Sequence, residues 1–156
     1  MNVAMIIMLA IHILCAVIWV GGMVFAHFMM RPATMPFEPP VRLAFFRRVF
    51  QRFFPAVGVI VALLLITGFG MIFNGFGGFA TAPEYVNVMM GLGIVMMLAF
   101  GHLFFVPWRR MQRALDRNDI VGGAASLNQI RGIVVFNLYL GLIVVAVAAT
   151  GRYWGA

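Results

Sequence analysis

The sequence predicts an all-α integral membrane protein: an up-and-down bundle of four transmembrane helices with both termini periplasmic. Three observations predict it. The 156 residues are 64% hydrophobic and only 10% charged, with a mean hydropathy of +1.05. A soluble domain carries about 25% charged residues, so too little polar side chain exists here to cover a water-facing surface. Four apolar runs, at about 3–30, 53–73, 86–108 and 132–150, are each long enough to cross a bilayer, which takes roughly 20 residues. Finally, ten of the eleven basic residues, all of them arginine, fall in two of the connections.

The first run is broken only by His12 and His27. It lacks a basic leader and a small-residue cleavage site, so it is expected to be a retained span and not a removed signal peptide. Arg31, Arg42, Arg47, Arg48 and Arg52 follow it. Over 41–54 these arginines interleave with Leu43, Phe46, Val49, Phe50 and Phe53 at helical spacing. That pattern fits an amphipathic turn on the membrane surface, or a plain extension of the second span beyond Pro55.

The connection 74–85 has no basic residue, whereas Arg109, Arg110, Arg113, Arg117 and Arg131 separate spans three and four. The positive-inside rule then makes the arginine-rich connections cytoplasmic, in a bacterial inner membrane. The formal charge of +7 is thereby a topology signal, and no nucleic-acid partner is expected. Trp108 is expected at the cytoplasmic interface, and Tyr85, Tyr153 and Trp154 at the other. Cys15 is the one cysteine and has no disulfide partner in the chain. Glycines recur through all four spans, among them Gly22, Gly68, Gly70, Gly91 and Gly141. They suit close helix contact, self-association, or room for a flat cofactor. The whole chain reads as a single four-helix domain in the lipid bilayer.

Ionisable side chains inside a membrane are costly and mark candidate sites, although a neutral imidazole bonded to a neighbouring helix is the plain structural reading of each. Counting about 1.5 Å per residue from the arginines, His27 lies roughly 6 Å and His102 roughly 10 Å inward. At matched depth on different helices, these two are placed as axial ligands of a haem b. Arg31, Arg48 and Arg109 are the candidate partners of its propionates. His12 lies too far toward the periplasm to join them. Met5, Met8, His12 and Cys15 instead form one stripe at i, i+3, i+7 and i+10, with Met71, Met89 and Met90 at similar depth. Thioether, thiol and imidazole suit copper(I), while methionine is also ordinary filler in an apolar bundle. The four acids, Glu38, Glu84, Asp116 and Asp119, all lie in connections. No carboxylate pair is therefore available, and the chain carries no phosphate-loop, CxxC or HExxH motif.

The run from His12 through Trp19, Gly21 and Gly22 to Arg31-Pro32-Ala33 resembles the first helix of the CopD family, membrane domains named for copper resistance. The stretches from Phe50 to Thr67-Gly68 and Gly70, and from Tyr85 to His102, resemble its second and third. The family is similar in turn to the four-helix HemJ-like protoporphyrinogen oxidases. That resemblance implies a metal or haem function, with His12 matching the haem-associated histidine of the HemJ-like proteins. Their third-helix lysine would fall near Gly91, and this chain has no lysine. The absence counts against protoporphyrinogen oxidation and leaves Met89 or Met90 as the nearest substitute ligand.

Three functions follow. The first is a b-type haem protein that moves electrons, with quinone or another redox carrier as partner. The second is copper(I) binding or uptake through Met5, Met8, His12, Met89 and Met90. The third is a non-catalytic subunit of a larger membrane complex.

Overall fold

The computed structural model describes residues 3–154. All regular structure among them is helical: α1 (Val3–Phe25), α2 (Arg31–Ala33), α3 (Pro39–Gly75), α4 (Glu84–Phe105), α5 (Pro107–Asp116) and α6 (Ile120–Thr150). A π-helical turn, Ala26–Met30, joins α1 to α2, and one 3-10 turn, Gly151–Tyr153, follows α6. Four continuous segments, Val3–Ala33, Pro39–Gly75, Glu84–Asp116 and Ile120–Tyr153, are long and apolar enough to cross a membrane. The chain is thus a multi-pass membrane protein. Its exposed apolar residues, such as Ile7, Leu14, Val59, Ile66 and Leu98, are the surface a bilayer solvates.

The helices run further than the apolar runs at the arginine-rich end, because their polar extensions are amphipathic and still have a face to bury. The ambiguous stretch 41–54 is one such extension. It is continuous with the rest of α3 through Pro55, and Leu43, Phe46, Phe50 and Phe54 bury its inner face. Pro39 and Pro40 open α3, where a missing N–H costs nothing. The π turn widens the chain at His27, which sits edge-on to Phe28. Thr34 then ends the segment by donating its hydroxyl to the carbonyls of Met30 and Arg31.

At the other end, α3 stops in a turn that needs two left-handed residues, Gly77 (φ +77°) and Gly78 (φ +122°). Only glycine takes these without strain. The Gly78 N–H donates back to the Ile72 carbonyl at 3.0 Å. The Asp119 carboxylate caps α6 by accepting from the Gly122 N–H at 2.8 Å.

Up-and-down topology is visible in the end contacts. Met5 at the start of α1 packs on Gly75 at the end of α3, and Tyr85 at the start of α4 packs on Gly151 after α6. Laterally, α1 packs chiefly on α3, and α4 with α5 packs on α6. Both α1 and α3 also touch α6 and close the bundle.

Trp108 departs from its expected place. The backbone bends at Val106 (φ −112°, ψ −80°) just before Pro107. The bend turns α5 inward, and Trp108 is only 4% exposed, edge-on to Phe50 and Phe54. It is a core residue and no interfacial anchor. Tyr153 and Trp154 are exposed, and Tyr85 is half-buried.

Candidate functional site

The stripe on α1 is a real face of the helix. Cys15, Trp19 and Met23 along it are buried, and Met5, Met8 and His12 are half-buried, while the opposite side of α1, with Ile7, Leu14, Val17 and Ile18, is exposed. It packs into glycine notches on α3. A Cβ at Gly68 would lie 3.4 Å from His12 Cε1 and 3.6 Å from Met90 Cε. His12 of α1 and Met90 of α4 therefore meet over the same glycine. Met5 occupies the notch at Gly75, two turns further along that face, and the Met8 sulfur sits over Gly70 on the flank. Met71, half-buried, lies one turn beyond Thr67.

The orientation of the imidazole is fixed by a chain of hydrogen bonds. Thr67 Oγ1 donates to the Leu63 carbonyl at 2.6 Å. Its proton is thereby committed, so it accepts from His12 Nδ1–H at 2.8 Å. The imidazole is left as the tautomer whose Nε2 carries the lone pair. This is how metal-ligating histidines are prepared, with one nitrogen donating to a fixed partner and the other presented to the metal. A threonine in mid-span costs little here, since its hydroxyl satisfies a carbonyl of its own helix. Composition gives one signal for Thr67: it is a hydroxyl in the otherwise apolar second span.

Among the described residues, no three of histidine, cysteine, aspartate and glutamate gather. A metal centre at this end must then draw on methionine. One imidazole with thioethers is a soft, low-charge donor set, which matches copper(I) and suits neither zinc nor calcium.

The proposed haem ligands fare differently. His27 lies in the π turn against Phe28, half-buried. His102 is on the exposed face of α4, one position from the buried Leu103. Between α1 and α4 the interior is filled by rings: Trp19 is edge-on to Phe100 at 6.2 Å, and Phe100 edge-on to Phe54. The cavity between them is about 20 Å³, room for one water and far short of a porphyrin. Helical phase turns His102 outward, to the exposed face of α4, while His27 stays half-buried in the π turn. Arg31, Arg48 and Arg109 are exposed, and Arg109 lies over the Phe105 ring at 5.0 Å. The residues present do not fit a bis-histidine haem at that level. Of the two outer methionines of α4, both half-buried, Met90 reaches the histidine's notch.

With this geometry in place, the family can be read. The sequence model of copper resistance protein D matches residues 47–150, more than half of the chain. This chain belongs to the CopD family. The CopD match covers most of α3 and all of α4 to α6, and so includes Thr67, Gly68 and Met90, while His12 lies before its start. No curated protein and no solved structure matches the chain. The CopD family connects the chain to copper resistance, so of the ligands expected from sequence it favours copper over haem.

Proposed function

We propose that this CopD protein binds copper(I) within the membrane, capturing it at the bundle end that holds His12 and passing it inward. His12 Nε2 and the Met90 sulfur are the primary ligands, with Met5 and Met8 as flanking thioethers nearer the end of the bundle. The observation that carries the reading is the hydrogen bond from His12 Nδ1 to Thr67 Oγ1, which leaves Nε2 as the free donor beside a thioether. Two-coordinate imidazole–thioether ligation suits a cargo ion, since few ligands hold it and a neighbouring thioether can exchange for one of them. The arginine-rich end is placed in the cytoplasm and the His12 end in the periplasm of a bacterial inner membrane, on the distribution of charge. Copper is the substrate of this reading, and quinone or another electron carrier has no role in it.

The test is Cu(I) retention by the purified protein under anaerobic competition with a chromogenic chelator, paired with copper content of cells lacking the gene. The wild type is expected to hold Cu(I), and His12→Ala to lose it and to fail in restoring cellular copper. Equal retention by His12→Ala overturns the reading. A Soret absorbance that disappears in His12→Ala or His102→Ala replaces it with the haem reading.

A further inference from the structure

The copper reading leaves the opposite end of the bundle unexplained. There Arg131 of α6 has Nε and Nη2 buried without any hydrogen-bond partner. Its guanidinium lies over the Phe46 ring, 5.0 Å from the centroid. A cation over an aromatic face is attracted to it, but that contact satisfies none of the N–H donors. The Arg131 guanidinium is desolvated first by burial, and the neighbouring charges, Arg31 and Arg42, are of the same sign. No acid offsets them: the one ion pair among the described residues joins Arg47 to Asp116. Arg131 of α6, seated on Phe46 of α3, thus has buried donors left over in a field of like charge from Arg31 of α2 and Arg42 of α3. Buried donors without partners and like charges without a counter-ion are each costly. Together they define a place for an anion.

Its surroundings narrow the choice of anion. Phe28, Met29 and Phe45, beside Arg31 and Phe46 in sequence, are exposed apolar side chains at the same end. A free phosphate would meet the guanidinium groups and leave this apolar surface untouched. A phospholipid meets both, its phosphate oxygens accepting from planar guanidinium forks and its acyl chains covering the phenylalanines and methionine. Arginine clusters between helices at the basic end of a membrane protein suit anionic lipid head groups.

We infer that Arg131, Arg42 and Arg31 form a binding site for the phosphate head group of an anionic phospholipid, which completes the bundle at its arginine-rich end. The site is independent of copper. It is tested on the full chain, delipidated in non-ionic detergent, by titration with mixed micelles of phosphatidylglycerol, of phosphatidylcholine, or with inorganic phosphate at matched ionic strength. Thermal unfolding and native mass spectrometry are the readouts. Phosphatidylglycerol is expected to bind about tenfold more tightly than phosphatidylcholine and to raise the unfolding temperature. In Arg131→Gln that preference should fall to within about twofold. Should Arg131→Gln fail to fold, the double variant Arg31→Gln/Arg42→Gln carries the test, with the same loss of preference expected. Equal binding of the two lipids, or a preference kept in the variants, overturns the site. Displacement of phosphatidylglycerol by millimolar inorganic phosphate, with the same dependence on Arg131, overturns the lipid assignment in favour of a soluble anion.

Discussion

The two ends of this bundle are held together by different materials. At the arginine-rich end, Phe46, Phe50, Phe54, Trp108, Met111, Leu127 and Ile130 form one buried cluster. Its rings are in mutual contact: Phe50 is stacked on Phe54 at 4.6 Å, and Trp108 is edge-on to both. At the other end, α1 meets α3 through methionine and histidine set against Gly68, Gly70 and Gly75. Lipid tails are as apolar as leucine, so helix association in a membrane rests on packing and not on escape from water. Rings supply that packing rigidly. Thioethers over glycine supply it flexibly, and leave sulfur and nitrogen lone pairs near the bundle's end. One end is built to stay closed, and the other is the end to which the proposed copper(I) reading assigns the ion.

Variants at the two ends should therefore separate stability from copper retention. The largest effect on stability is expected from Phe54→Ala, which removes a side chain only 2% exposed from the stacked cluster. It should cost about 3–5 kcal/mol, measured by unfolding in detergent, with Cu(I) retention at the far end unchanged. Loss of copper in a still-folded Phe54→Ala protein would show that the ends are coupled.

Gly151→Ala comes next, because the added Cβ falls inside the Tyr85 side chain, at its Cβ and Cγ as well as its ring. Those atoms are close to the backbone and yield little, so the overpacking should cost about 1–3 kcal/mol. Thr67→Val probes the copper side. Removing the acceptor of the His12 proton frees the ring to turn, and Cu(I) affinity should fall about 10–100-fold while the fold is retained. An unchanged affinity would mean that His12 needs no orienting partner.

Asp116→Asn breaks the ion pair with Arg47, at 2.6 Å on a partly exposed surface. Its effect on unfolding should stay below about 1 kcal/mol, far less than the rings beneath it contribute. Smallest of all is His102→Ala. On an exposed face, it should shift stability by no more than about 0.5 kcal/mol and leave Cu(I) retention intact, unlike His12→Ala.

Much of the comparison is legible in the sequence. The four spans and the crowding of arginine into alternate connections need only composition and order. The stripe of Met5, Met8, His12 and Cys15 needs only the 3.6-residue period, and in the structure Cys15 on it is buried while Met5, Met8 and His12 are half-buried. Phase is harder where a helix is apolar all round, as α4 is. Depth along the axis can be counted from the nearest arginine, which put His27 and His102 at one level. The direction each side chain faces depends on which neighbours pack against the helix, and α4 turns Met96 and Leu103 inward and His102 out. Trp108 lies in the core for a related reason: the chain bends at Val106 just before it, and an interfacial tryptophan and a core tryptophan look alike in sequence.

Hydropathy and charge order, both properties of residues taken one at a time or at short range, decided that this chain crosses a membrane four times with its arginines gathered at one end. Which groups meet the His12 imidazole was decided only between helices. Thr67 lies 55 residues from His12, Met90 lies on a third helix, and Gly68 has value only because both approach it. Their meeting depends on how three helices rotate against one another, a quantity set by the packing of the whole bundle and written in no local stretch of sequence.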